Sequence, residues 1–144
     1  RITSFLDQQI GKDSTYVSYH HPQGKLFQIE HIWGDKFNEH KDEFEQSTDF
    51  QNWRNSIGAL ILIPQGTNQS YKDAKYSVKL GHYIKENTFA QSLHPDYYQM
   101  NQNFLRNELI QSLEFKAHTE FQKKDIIERA ALVQRICEAI WRWD

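Results

Sequence analysis

The sequence predicts an α+β fold in which helices dominate, and three observations carry that reading. Two short apolar runs, Leu26–Ile32 and Leu60–Ile63, have the length of strands rather than helices. Several other segments place apolar residues at three- and four-residue spacing, most clearly from about Lys123 to Trp141. With 144 residues and 14% aromatics, the chain has the material for one sizeable core. A small strand pair set among helices is the α+β pattern.

The elements follow in order. Residues 1–25 read as a connecting arm: Ile2, Phe5, Leu6 and Ile10 fit the end of a helix packed elsewhere, on an upstream domain. Gly11, Asp13 and Ser14 break that helix, and His21-Pro22-Gln23-Gly24 is a turn signal. Residues 26–144 then form the domain proper. Leu26–Ile32 is a strand with partial alternation that ends near Trp33-Gly34. Phe44 to Ile57 is expected to be helical, with Phe50, Trp53 and Ile57 on one face and Gly58 as its stop. Leu60–Ile63 is the second strand, ended by Pro64, and 65–70 is a polar loop. A helix is expected from about Ser77 to Asn87 with Tyr76, Leu80, Tyr83 and Ile84 on its apolar stripe. Ser92–Met100 reads as irregular around His94-Pro95, Asn103–Leu113 as a helix, and Lys123–Trp141 as the closing helix.

Composition removes some function classes. A single cysteine, Cys137, leaves no intramolecular disulfide and no Cys-rich zinc site, and its apolar setting makes it a buried structural thiol. No apolar run approaches 18 residues and no signal peptide opens the chain, so the expected setting is cytoplasmic, without a membrane partner. The first residue is Arg1, which reads as a piece of a longer chain. Net charge is -2, unlike the basic balance that often marks a nucleic-acid-binding domain. Charge is nevertheless uneven. Residues 35–49 carry six acidic side chains against Lys36 and Lys41, whereas 68–85 carry Lys72, Lys75, Lys79 and Lys85 against Asp73.

Candidate chemistry begins at Glu30-His31, at the end of the first strand, with Asn68 in the loop after the second and Lys79 near the start of the next helix. Phosphodiester hydrolysis needs a hard divalent cation, a base for water and positive charge near the phosphate. A carboxylate and an Asn carbonyl suit Mg²⁺ or Mn²⁺, and imidazole accepts a proton near neutrality. Each residue alone has a plainer role: a solvated strand end, a turn Asn, a surface lysine. His20, His21, His40, His82, His94 and His118 show no ligand spacing, although His82, one turn from Lys79, could line the same site. Trp33, Phe37, Phe44, Phe50 and Trp53 are expected to be core rather than stacking platforms for bases.

The ordered set adds more than its parts. Ile29-Glu30-His31-Ile32, then Gly58-Ala59-Leu60-Ile61-Leu62-Ile63, Asn68, Lys79-Leu80-Gly81-His82-Tyr83, and finally Arg129, Leu132, Ile136 and Trp141 resemble the HNH nuclease family found at the C-terminal end of GmrSD-type type IV restriction enzymes. The resemblance spans about residues 26–142. It implies a ββα-metal (HNH-like) core embedded in a mostly helical domain. It implies a DNA endonuclease with His31 as general base, Glu30 and Asn68 as ligands of Mg²⁺ or Mn²⁺, and Lys79 as a phosphate contact. It also implies a role in restricting foreign DNA, sugar-modified DNA included, and an upstream NTPase-like domain on the same or a partner chain. One position departs from the family: the middle Asn of H-N-H is Ala59. That favours the alternative of a catalytically silent nucleic-acid-binding or interaction module that keeps the fold. A further demand is geometric. Neighbouring residues on a regular strand point to opposite faces, so Glu30 and His31 can serve one metal only if the strand ends or twists between them.

Overall fold

The computed structural model describes residues 1–13, 26–67 and 71–142. Two antiparallel strands, β1 (Phe27–His31) and β2 (Leu60–Pro64), form the sheet. Phe27 faces Pro64, Glu30 faces Ile61 and His31 faces Leu60. The pairing extends past both strand ends, where the Gln65 amide donates to the Leu26 carbonyl at 2.6 Å and the Ile32 amide to the Ala59 carbonyl at 2.9 Å.

Helices surround this ribbon: α1 (Ile2–Gln9), α2 (Ser47–Arg54), α3 (Tyr76–Tyr83), α4 (Thr88–Gln91), α5 (Pro95–Met100), α6 (Gln102–Arg106), α7 (Glu108–Ser112) and α8 (Lys123–Ile140). Mixed helix and a two-stranded sheet is the α+β architecture that the apolar pattern predicts. Both strands lie within a residue of their expected ends, and α8 matches its expected start.

Several segments differ from expectation for visible reasons. Ser92–Met100, expected to be irregular, holds α5, which Pro95 opens and where His94 Nδ1 accepts the Asp96 amide. The helix expected over Ser77–Asn87 ends at Tyr83, and Asn87 instead caps α4, its Oδ1 accepting the Ala90 amide. The first helix does not pack elsewhere. Leu6 is fully buried in the core, with Ile2, Phe5 and Ile10 against it. The Asp7 carboxylate accepts the Thr88 amide at the start of α4, which anchors α1 to this chain. The expected division between arm and domain falls within residues 14–25, outside the described residues. The expected helix Asn103–Leu113 breaks into α6 and α7 because Asn107 leaves helical geometry and caps α7, its Oδ1 accepting the Ile110 amide at 3.0 Å. Helix α2 ends at Arg54 rather than Ile57; a 3₁₀ turn, Ile57–Ala59, follows and leaves Ile57 exposed.

The core joins Phe50, Trp33, Phe44, Ile61, Ile63, Tyr83, Phe104, Ile126 and Ile136. Trp33 stacks on Phe50 with centroids 5.7 Å apart, and its indole N–H donates to the Phe121 carbonyl at 2.7 Å. These rings are therefore packing elements with a satisfied polar edge. The tightest approach is at Gly58. A Cβ there would lie 2.1 Å from the Ile126 carbonyl oxygen and 2.9 Å from the Ala130 nitrogen, so only glycine lets the 3₁₀ turn before β2 sit directly on the α8 backbone. Ala59, next in sequence, is fully buried. Arg129 of α8 is also buried, its guanidinium 4.3 Å from the Phe89 ring centroid, and burial pulls its pKa down to about 10. Cys137 is a free, partly buried thiol packed against the core.

Candidate active site

The strand β1 carries two different environments on its two faces. Glu30 points inward. It is 1% exposed, and its Oε1 accepts from Lys79 Nζ at 2.7 Å and from the Tyr83 hydroxyl at 2.9 Å. Lys79 and Tyr83 are one turn apart on α3, so one helix face supplies both donors. Lys79 Nζ makes a further bond, donating to the His31 carbonyl at 2.7 Å. Its ammonium is fully buried. Burial lowers the Lys79 pKa, and the bond to Glu30 pulls it back up. Burial, then the Glu30 charge, pushes the Tyr83 phenol well above its usual range, so it stays a hydroxyl donor.

His31 points the other way. Its Nε2 lies 2.8 Å from Asn55 Oδ1, at the C-terminal end of α2. The Asn55 amide is oriented, because its Nδ2 donates to the Gln51 carbonyl one turn earlier at 2.8 Å. Oδ1 therefore faces the imidazole and must receive a proton from it. In the neutral ring the proton then sits on Nε2, and the lone pair is left on Nδ1. The array continues outward, since Gln51 Nε2 donates to Asp35 Oδ1. Behind it, Arg54 Nε donates to the Trp33 carbonyl at 3.1 Å, tying α2 to the segment that follows β1.

The four expected site residues are thus placed differently. Glu30 and Lys79 come together, but as a buried pair with Tyr83. Lys79 is enclosed where an exposed phosphate contact was expected. Glu30 and His31 both stay in the regular ladder and point apart, so the geometric demand for a shared metal is not met. A hard cation also needs accessible oxygen donors, whereas Glu30 is buried and its Oε1 already accepts from two side chains. As it stands, Glu30 does not fit an ion held beside His31. Asn68 lies outside the described residues. His82, one turn from Lys79, stacks on Tyr71 with centroids 4.3 Å apart. Among the described residues, His118, Asp125 and Glu128 form a three-residue group of metal-type ligands, and His31 belongs to none.

Sequence reasoning missed Asn55 and the bonding role of Tyr83. Tyr83 stood in the Lys79–Tyr83 segment without a bonding role, and only the fold shows that Asn55 caps α2 opposite His31. The exposed Lys75, at the N-terminal cap of α3, lines an open cavity of about 380 Å³ with Ile32, Trp33, Gly34, Glu39 and His40. The cavity begins one residue past His31.

Residues 2–135 match the family described as GmrSD restriction endonucleases, C-terminal domain. No curated protein and no solved structure matches the chain significantly. No described helix is long and apolar enough to cross a membrane.

Proposed function

Because the chain belongs to the C-terminal domain family of GmrSD restriction endonucleases, we propose that it is the metal-dependent, HNH-type nuclease domain of a larger restriction protein acting on DNA in the cytoplasm. The ββα unit of this reading is β1, β2 and α3, with the helix bonded to β1 through Lys79 and Tyr83. The observation that carries the reading is the His31–Asn55 bond, which holds a partly exposed imidazole at a strand end with its Nδ1 lone pair free of that contact.

In the reaction, His31 Nδ1 takes a proton from the attacking water, the new P–O bond forms and the bond to the leaving oxygen breaks. Asn55 steadies the imidazolium that results by accepting from Nε2. Lys79 acts one step back, as a positioning residue, by fixing the His31 carbonyl. The exposed Lys72 and Lys75 are the cations placed to meet a phosphate backbone. Mg²⁺ or Mn²⁺ belongs to this reading as a requirement of the family's chemistry. Glu30, already committed to Lys79 and Tyr83, does not hold the ion in this arrangement. An upstream NTPase-like domain on the same or a partner chain would gate cleavage.

The second reading, a silent nucleic-acid-binding or interaction module, is favoured by Ala59, which is buried where the family pattern has Asn. Against it, Asn55 supplies an amide to His31 from a different position. A nicking assay separates the two. Supercoiled plasmid and a matched RNA are incubated with Mg²⁺ or Mn²⁺, and the His31→Ala variant is run alongside. The expected result is nicked DNA with the unsubstituted chain and a loss of about 10²–10⁴-fold in the variant. Absence of cleavage with every metal, with the upstream domain and nucleotide supplied, would sink the enzyme reading.

A further inference from the structure

A second cluster of ligating side chains lies on α8, away from His31. Asp125 and Glu128 are three residues apart on the helix and present both carboxylates to one side. His118, in the segment before the helix, is 4% exposed, and its Nδ1 lies 2.8 Å from Asp125 Oδ1 and 4.0 Å from Glu128 Oε2. The three donor atoms all fall within 4.8 Å of one another. Ligand atoms about 2.0–2.2 Å from a tetrahedral ion sit about 3.3 Å apart, a spacing that the two measured distances bracket.

The groups are held independently of one another. The His118 amide donates to the Leu93 carbonyl at 2.9 Å, and its carbonyl accepts the Tyr76 hydroxyl. Asp125 uses Oδ2 to accept the Gln122 amide in a capping box, which leaves Oδ1 turned to His118. Glu128 Oε2 is shielded from solvent and accepts no aligned hydrogen bond, although Lys116 Nζ approaches it at 2.6 Å. That lysine is 59% exposed and can swing away. A cavity of about 300 Å³ opens beside His118 and Glu128, lined also by Glu114, Lys116 and Arg135.

We propose that His118, Asp125 and Glu128 form a binding site for one divalent transition ion of the Zn²⁺ type. One imidazole nitrogen with two carboxylate oxygens suits Zn²⁺, Co²⁺ or Mn²⁺ better than Mg²⁺. The ion replaces the proton shared by His118 and Asp125, which is released, and it displaces the Lys116 ammonium. The site pins the segment before α8 to the helix. It rests on these three residues alone and not on the nuclease reading.

The test is calorimetric titration of the whole, chelator-treated chain with ZnCl₂, with MgCl₂ as control, together with thermal unfolding in each metal. One equivalent of Zn²⁺ is expected to bind at His118, Asp125 and Glu128 and raise the unfolding temperature, while any response to Mg²⁺ is the same in the parent chain and in Glu128→Gln and His118→Ala. Glu128→Gln changes a partly exposed side chain and keeps the fold. It should weaken Zn²⁺ binding by on the order of tenfold or more, at least as much as loss of an outer-shell partner. His118→Ala should abolish the one-equivalent step. The proposal is overturned if Zn²⁺ shows no saturable binding, or if it binds equally well to both variants, which would assign it to other histidines.

Discussion

On the inner face of β1, Glu30 is enclosed by Lys79 and Tyr83, with the carboxylate and both donors out of solvent. On the outer face, one residue along, His31 keeps an accessible edge and leans on Asn55, which is itself exposed. Two adjacent residues of one motif therefore live in opposite regimes. The inner charge is stable only because each polar group has a partner, and it contributes rigidity. The outer imidazole is partly exposed and has Asn55 as its oriented partner among the described residues. A motif read as one site divides at the backbone into a buried half and an accessible half, joined where Lys79 bonds the His31 carbonyl.

The sharpest way to break this contrast is Lys79→Met. It leaves the Glu30 charge buried with one donor fewer, and removing one partner of a buried pair costs about 3–5 kcal/mol. Urea unfolding should show that loss, whereas His31→Ala should stay within about 0.5 kcal/mol, as expected for a surface substitution. Equal stability losses in the two variants would erase the distinction between the faces.

Gly58→Ala tests the backing of the sheet. With the new Cβ 2.1 Å from the Ile126 carbonyl oxygen, β2 must move off α8, at a cost of about 1–3 kcal/mol or more. A variant as stable as the parent would mean that the strand pair is not seated on that helix.

Asn55→Ala addresses the outer face. It removes the bond to His31 along with the exposed one to the Gln51 carbonyl. Losing the His31 bond, worth about 0.5–1.5 kcal/mol, should lower the cleavage rate by up to about tenfold, with a smaller effect on the unfolding midpoint than Lys79→Met. An unchanged rate would show that His31 needs no orienting partner.

The smallest effect concerns pH. His40 packs 4.4 Å from the Trp33 ring and 5.0 Å from Phe50, and burial lowers its pKa below 6.5 despite the nearby Glu43, Asp42 and Glu39. The fold thus favours the neutral ring. Its contribution is fully present above pH about 6.5 and fades as pH falls toward the lower folded value. Stability measured between pH 7.5 and 5.5 should decline, and His40→Gln should flatten that part of the decline.

Much of the fold was legible because burial follows periodicity. The stripe Ile126, Val133, Ile136 locates α8, and Leu60–Ile63 bounded by Pro64 locates β2. The candidate site was legible only as an ordered set of residues, and its geometry was not. Apolar patterning would turn Ile29 inward, yet Ile29 is 59% exposed and Glu30 is buried. The inversion depends on Lys79 and Tyr83, some 50 residues away, which no local pattern around β1 reports. Asn55 was hidden for a related reason. Its partner is fixed by where α2 stops, and the expected helix ran on to Ile57. The pairing of His118 with Asp125 likewise needs the turn at 119–122 to bring the ring back to the helix start.

The contact of Gly58 with Ile126 and Ala130 has a consequence for how the molecule is made. The strand bearing His31 is paired to β2, and the 3₁₀ turn that leads into β2 rests on the backbone of α8. During synthesis, β1 and β2 are both available once residue 64 has left the ribosome, but their seat is missing until about residue 130 follows. An isolated two-stranded hairpin is only marginally stable in water, and contacts that span this much chain form late. The nascent chain therefore carries the Glu30-His31 strand without a finished support until α8 has emerged.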